Sequence, residues 1–148
     1  MMGKKILFWA LSLVLLVSAS AQALTMVSVA ADNVNLRSGP GEKYPVVWTL
    51  GVGFPLSVLE ERGDWWRVED FEGDTGWVSK DLIERKPHMI VKVEKANIRS
   101  GPSERYQLVG KANRGVVFQT LKVKDKWVQV KHGKGLTGWV SRSLLWGW

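Results

Sequence analysis

The sequence of 148 residues lacks cysteine altogether and contains only two histidines, His88 and His132. Without cysteine the chain has no disulfide, no thiolate metal site, no cysteine nucleophile and no lipid-modified N-terminal cysteine. Two histidines are too few for a multi-histidine metal centre, and no order of serine, histidine and aspartate typical of a catalytic triad is present. We therefore expect a protein that is not an enzyme, with no metal and no cofactor.

Long apolar runs are also missing, except at the N-terminus. Lys4 and Lys5 precede an apolar run over residues 6–17 that only Ser12 interrupts, and residues 19–23 hold two overlapping A-x-A patterns. This layout is typical of a secretory signal peptide, because the run is shorter than the ~20 apolar residues of a transmembrane helix. We expect residues 1–23 to form a signal-peptide helix cleaved after Ala23, which predicts a periplasmic or secreted protein. The alternative is an uncleaved segment, which would be the only link of the chain to a membrane.

The charged residues are distributed unevenly. Residues 26–85 hold 6 Lys and Arg against 11 Asp and Glu, whereas residues 86–148 hold 13 against 3. An acidic half and a basic half predict two modules, which can attract each other within one chain or between chains. The basic half carries Lys122, Lys124, Lys126, Lys131 and Lys134. These form either a solvated face or a stripe that docks an anionic wall polymer or lipid phosphates. The export signal argues against nucleic acid as a partner.

The sequence after the signal peptide is a tandem duplication with an offset of 62 residues. Asn-Leu-Arg-Ser-Gly-Pro at 35–40 recurs at 97–102 with one Leu-to-Ile exchange, and Thr-Gly-Trp-Val-Ser at 75–79 recurs unchanged at 137–141. Between 29–83 and 91–145 there are 20 identities in 55 positions without a gap. A copy of ~60 residues is large enough to fold as a small domain.

Each copy has the pattern of short strands. In the first copy, apolar and β-branched stretches between glycine, proline and aspartate clusters predict strands near 26–30, 46–50, 55–61, 65–69 and 75–79. Five short strands leave two open sheet edges unless they curl into a small barrel. We therefore predict an all-β chain with barrel 1 over 26–84, a linker over 85–88 and barrel 2 over 89–146.

The order of the motifs resembles the bacterial SH3 domain family. Each copy contains N-[LI]-R-S-G-P, a tyrosine (Tyr44, Tyr106), a glycine, W-x-x-V, T-G-W-V-S and a leucine, over about 29–84 and 91–146. The resemblance implies two tandem SH3-like β-barrels, each with a long folded-back loop after its first strand. It also implies an extracytoplasmic role, commonly the binding of cell-wall peptidoglycan as an accessory to wall enzymes.

Strand alternation indicates which tryptophans face away from each core. In the second copy Val128 and Val130 share a face, which is therefore the core face. The alternate positions then face outward, and they hold Trp65 and Trp77 in barrel 1 and Trp127 and Trp139 in barrel 2. With Tyr44 and Tyr106 of the long loops, these rings form in our hypothesis one aromatic groove per barrel, suited to peptides and sugars. Packing of the rings against the loop or the other barrel is the alternative.

Two arginines and the C-terminal tail complete the candidate surfaces. Arg37 and Arg99 follow Leu36 and Ile98 and so point to the outer side. They either hydrogen-bond the long loop or capture a carboxylate of a stem peptide, and we include both among the ligand-binding candidates. The tail over 144–148, Leu-Leu-Trp-Gly-Trp, either packs against barrel 1 or stays exposed as a partner site.

The sequence thus favours a non-catalytic extracytoplasmic binding module. The first hypothesis is recognition of peptidoglycan or its stem peptides through the aromatic grooves. The alternative is an adaptor in the cell envelope that binds an extended peptide of a partner protein.

Overall fold

The protein forms two antiparallel sheets of seven strands each in a computed structural model that describes residues 23–133 and 135–148. Apart from Ala23, the predicted signal peptide over 1–23 lies outside the described residues. Within the part of the chain that is described, no helix has the length and apolar character needed to cross a membrane.

The first sheet holds the five strands expected from the sequence and two more. It comprises β1 (Met26–Val29), β2 (Val34–Arg37), β3 (Val46–Leu50), β4 (Pro55–Arg62), β5 (Trp65–Glu69), β6 (Thr75–Ser79) and β7 (Ile83–Glu84). The strand order is β3-β2-β6-β5-β4-β1-β7, and a short 3₁₀ helix over Lys80–Leu82 connects β6 to β7. The sequence analysis missed β2 although Val34 and Leu36 alternate with polar residues, because the strand is only 4 residues long.

The second sheet repeats this topology. It comprises β8 (His88–Val91), β9 (Lys95–Arg99), β10 (Leu108–Asn113), β11 (Val117–Lys124), β12 (Trp127–His132), β13 (Leu136–Ser141) and β14 (Leu145–Gly147), in the order β10-β9-β13-β12-β11-β8-β14. His88 corrects the expected linker, because it is the first residue of β8 and is buried. Its Nδ1 lies 2.8 Å from the carbonyl oxygen of Lys86, and this contact ties the connecting segment to the sheet.

Each sheet encloses its own apolar core. The buried cluster of barrel 1 consists of Val27, Val29, Val34, Leu36, Leu50, Leu56, Val68 and Val78. The buried cluster of barrel 2 consists of Met89, Val91, Ala96, Ile98, Ala112, Phe118, Val128, Val130, Val140 and Leu145. Most of these positions alternate with outward-facing residues along their strands, as expected where only one face of a sheet is buried.

The two barrels touch through a polar and aromatic contact. The guanidinium of Arg114 lies 5.1 Å from the ring centroid of Phe71 and pairs with Glu72 at 3.5 Å. The hydroxyl of Ser28 donates to the carbonyl oxygen of Lys86 at 2.8 Å. Among the described residues, Arg114–Glu72 is the one ion pair between the acidic and the basic half.

The C-terminal tail forms a strand of barrel 2, and its contact with barrel 1 agrees with the packing alternative. Leu145 pairs with Val91 and Trp146 pairs with Ile90, so β14 extends the sheet beside β8. The backbone N–H of Trp148 donates to the carbonyl oxygen of His88 at 3.1 Å. The tail therefore closes its own barrel, and β14 also contacts β4 of barrel 1.

Candidate functional site

The sheet register assembles an outer face on each barrel. In barrel 1, Trp77 is paired with Arg67 on one side and Arg37 on the other, and Arg67 is paired with Glu60. In the next row, Trp65 lies between Arg62 and Ser79. Barrel 2 has the same two rows: Lys122, Gln129, Trp139 and Arg99, then Lys124, Trp127 and Ser141. The four tryptophans lie on this face and outside the two buried core clusters.

The four tryptophans differ in exposure, which corrects the picture of rings that are all available to a ligand. Trp77 is only 8% exposed, and the guanidinium of Arg62 lies 4.8 Å from its ring centroid. Trp65, Trp127 and Trp139 are half-buried. Trp77 is therefore covered within its own barrel, whereas the other three keep part of their surface in solvent.

The two loop tyrosines pack on a glycine of their own loop. A Cβ at Gly39 would lie 2.4 Å from Cδ1 of Tyr44, and a Cβ at Gly101 would lie 2.4 Å from Cδ1 of Tyr106. Only glycine allows this approach, which explains the Ser-Gly-Pro segment of both motifs. Tyr44 is half-buried, whereas Tyr106 is 47% exposed.

Arg37 and Arg99 fasten the long loops, so the structure favours the first of the two roles considered for them. Nη1 of Arg37 donates to the carbonyl oxygens of Glu42 at 3.1 Å and Tyr44 at 3.0 Å. Nη1 of Arg99 donates to the carbonyl oxygen of Tyr106 at 3.1 Å. These bonds hold the backbone around each tyrosine and leave fewer donors for a ligand.

The predicted grooves are not twins, because each barrel brings different candidates together. In barrel 2 a cleft of about 470 Å³ is lined by Pro102, Ser103, Arg105, Tyr106, Lys124, Asp125 and Trp127. It unites Tyr106 with Trp127 and leaves out Trp139 and Arg99. In barrel 1 a cleft of about 320 Å³ is lined by Asn33, Asn35, Arg37, Glu42, Trp65, Ser79, Asp81 and Leu82. It unites Arg37 with Trp65 and leaves out Tyr44 and Trp77.

The charged residues of the barrel 2 cleft were not among the candidates. Lys124 belongs to the basic stripe noted in the sequence, but the stripe was considered separately from the aromatic groove. Arg105 and Asp125 carry no motif signal, since each differs from its counterpart in barrel 1, Lys43 and Gly63. Lys122, Lys126 and Lys131 are exposed, and Lys134 lies outside the described residues.

Side chains suited to catalysis or metal binding are dispersed in the described ranges. The ring of His132 packs edge-on against Phe118 with the ring centroids 5.7 Å apart, and His88 is buried in β8. The carboxylate of Asp70 accepts the backbone N–H groups of Glu72 at 2.8 Å and Asp74 at 3.0 Å, so it shapes a turn. Over 23–133 and 135–148, no group of three or more His, Asp or Glu side chains is placed to hold a metal ion.

The chain belongs to the bacterial SH3 domain family, which matches residues 30–84 and 92–147. Two curated proteins are similar to parts of this chain. "Putative N-acetylmuramoyl-L-alanine amidase YrvJ" of Bacillus subtilis is 28% identical over 128 residues, covering 79% of this chain and 24% of that protein. "Probable cell wall amidase LytH" of Staphylococcus epidermidis is 33% identical over 49 residues, covering 32% of this chain and 17% of that protein. The chain thus spans about a quarter or less of these relatives.

Solved structures with some similarity include two NlpC proteins. An NlpC/P60 family protein from Bacillus cereus aligns with a TM-score of 0.40 at 13% identity, over 84% of this chain and 56% of that chain. NlpC2 from Trichomonas vaginalis aligns with a TM-score of 0.37 at 18% identity, over 86% of this chain and 49% of that chain.

Proposed function

We propose that the protein is a non-catalytic cell-wall-binding protein that acts outside the cytoplasm and recognises peptidoglycan or its stem peptides. The observation that carries the proposal is the pair of bacterial SH3 domains, each with a half-buried tryptophan beside a cleft. The relatives named as wall amidases support a role at the cell wall. This chain matches a quarter or less of their length, so it corresponds to only a part of each, which is consistent with binding without catalysis.

The chemistry of the clefts suits a wall peptide. Trp127 and Tyr106 offer ring surface with a polar tip, and such rings bind the apolar parts of peptides and sugars. Arg105 and Lys124 supply donors for the carboxylates that stem peptides carry.

Sedimentation with purified peptidoglycan sacculi tests the proposal. Wild-type protein is expected in the pellet, and the double variant Trp65→Ala, Trp127→Ala is expected in the supernatant with an unchanged circular dichroism spectrum. Wild-type protein that stays in the supernatant would contradict the proposal. A double variant that unfolds would instead favour a packing role for the two rings.

Export is tested separately at the N-terminus. Mature protein from the periplasm or medium should begin at Leu24, since residues 19–23 hold the A-x-A patterns. Exported protein that still begins at Met1 would contradict cleavage and would leave residues 1–23 as an anchor.

A second candidate function, an adaptor for an extended peptide, is favoured by the edge of the first sheet. β3 is an edge strand, and its side chains Val46, Val47 and Trp48 are 45%, 43% and 52% exposed. An exposed edge with apolar side chains can pair with a strand of another protein. Binding to bare sacculi favours the wall, whereas a crosslink from β3 to one envelope protein, without binding to sacculi, favours the adaptor.

A further inference from the structure

We propose that the two barrels are not equivalent: barrel 2 presents an open cleft that binds the carboxylate of a wall peptide, whereas cationic side chains of barrel 1 close its own aromatic surface. This inference rests on the proposed function, because it names the barrel and the ligand group through which the wall peptide is held. Residues that differ between the two copies at the same register position support this inference.

In barrel 1, cations cover two of the rings predicted to form the groove. The guanidinium carbon of Arg62 lies 4.8 Å from the ring centroid of Trp77, and Nζ of Lys43 lies 5.3 Å from that of Tyr44. Oε1 of Glu60 accepts hydrogen bonds from Nη2 of Arg62 at 2.7 Å and from Nε at 3.1 Å, which holds the guanidinium in place. These cation–π contacts occupy ring faces that a ligand would need.

In barrel 2 the corresponding residues cannot build this cover. Lys122 stands at the position of Glu60, and Lys124 stands at the position of Arg62. Like charges at these positions repel, so neither lysine can anchor the other. Over residues 23–133 and 135–148, neither lysine is in an ion pair, and no cation lies over the ring of Tyr106. Tyr106 is 47% exposed, whereas Tyr44 is half-buried.

The cleft that remains open has the charge of a carboxylate site. Arg105 and Lys124 contribute two cations to its lining and Asp125 contributes one carboxylate. The net positive lining favours an anion, while Asp125 disfavours a doubly charged group such as phosphate. A peptide with a free carboxylate supplies the single charge, and its body can lie on the rings of Tyr106 and Trp127.

The cleft of barrel 1 lacks these free cations. Its arginine, Arg37, already donates to two carbonyl oxygens of the loop. The same cleft includes the carboxylates of Glu42 and Asp81, which repel an anionic ligand.

Calorimetric titration of the full chain with two peptides tests the ligand group. The probes are a wall stem peptide that ends in a free carboxylate and the same peptide as a C-terminal amide. We expect one site per chain for the carboxylate peptide and about tenfold weaker binding of the amide, a factor equivalent to about 1.4 kcal/mol. Equal affinities, or competition by inorganic phosphate as strong as that by the carboxylate peptide, would overturn the carboxylate assignment.

A matched pair of variants tests the choice of barrel. Lys124→Gln should weaken binding of the carboxylate peptide about tenfold without changing binding of the amide, because it removes one charge-assisted hydrogen bond. Arg62→Gln changes the same position in barrel 1. The affinity of barrel 2 for the peptide should then stay within about twofold of the wild-type value. Both side chains are exposed, so both variants should fold. Equal losses in the two variants would overturn the inference.

Replacing two residues of barrel 1 by their counterparts from barrel 2 tests whether Arg62 covers the aromatic surface of barrel 1. The double variant Glu60→Lys, Arg62→Lys gives barrel 1 the two lysines of barrel 2 and removes the ion pair that holds a guanidinium over Trp77. We expect Trp77 to become more exposed, so acrylamide should quench the tryptophan fluorescence of the double variant more than that of the wild type. Equal quenching would overturn the role of Arg62 in closing barrel 1.

The failure of this inference differs from the failure of the proposed function. Wild-type protein that sediments with sacculi but binds neither peptide overturns the carboxylate cleft and leaves wall binding intact. Wild-type protein that binds neither sacculi nor peptide overturns both.

Discussion

Replacing Gly138 by alanine is expected to destabilise barrel 2, because β13 lies against β9 without room for a side chain. A Cβ at Gly138 would lie 2.5 Å from Cγ2 of Ile98 and 2.9 Å from the carbonyl oxygen of Arg99. Ile98 is 1% exposed and β-branched, so its methyl group cannot rotate away. The carbonyl oxygen belongs to the backbone, so relief requires the strands to separate.

The expected loss in the free energy of unfolding follows from these two contacts. Overpacking of a core costs about 1–3 kcal/mol, and a clash with backbone places Gly138→Ala in the upper half of this range. For a domain of this size, a urea m-value of about 2 kcal/mol/M converts that loss into a midpoint lowered by about 1 M. The nearest backbone atom at Gly76, the carbonyl oxygen of Arg37, is 3.2 Å from the added Cβ, so Gly76→Ala should cost barrel 1 less.

Urea unfolding followed by tryptophan fluorescence measures both effects. Gly135→Ala is the control, because its Cβ would meet no atom within 4 Å. We expect this control to unfold like the wild type. A Gly138→Ala protein within about 0.5 kcal/mol of the wild type, the range of ordinary surface substitutions, would refute the reasoning.

Three further predictions follow from packing, from the loops and from the contact between the barrels. Leu56→Ala, at a fully buried position of barrel 1, should lower the free energy of unfolding by about 2–5 kcal/mol in the same urea assay, and a loss below 1 kcal/mol would contradict its place in the core. Arg37→Gln should accelerate hydrogen exchange in loop 38–45 more than Arg99→Gln does in loop 100–107, because Arg37 donates to two carbonyl oxygens and Arg99 to one; equal acceleration would speak against this difference. Arg114→Gln should lower the free energy of unfolding by at most about 1 kcal/mol, because the ion pair of Arg114 with Glu72 is exposed. Urea unfolding should show a smaller loss in high salt, which screens the pair. A loss that does not depend on salt would show that the ion pair contributes nothing.

The fold was predictable to the extent that it depends on alternation and turn residues. The stretches 46–50 and 75–79 are strands as the sequence indicates, and the motif order identified the family. The sequence analysis missed β7 and β14 because each is shorter than the pattern that alternation requires. It did not indicate that the tail adds a strand to the sheet, since pairing of Leu145 with Val91 is a long-range contact without a local signal.

The site was predictable only in part, because a β-bulge reverses the faces of β4. Val58 pairs with Val68 and packs on the core, whereas Glu60 pairs with Arg67 on the outer face, although the two residues are only two positions apart. Simple alternation would place both on one face. The bulge therefore brings Arg62 over Trp77, and no periodicity in the sequence indicates this contact.

The pairing of the first strand of each barrel with its last strand, β1 with β7 and β8 with β14, bears on how such a protein can arise. Entry and exit points of a barrel lie side by side, so copying the coding segment in frame yields a second unit that needs only a few connecting residues. Concatenation of this kind leaves the interior of each unit intact. Each copy is then free to diverge on its outer face, where an exchange such as Glu60 against Lys122 reverses a charge without disturbing the architecture.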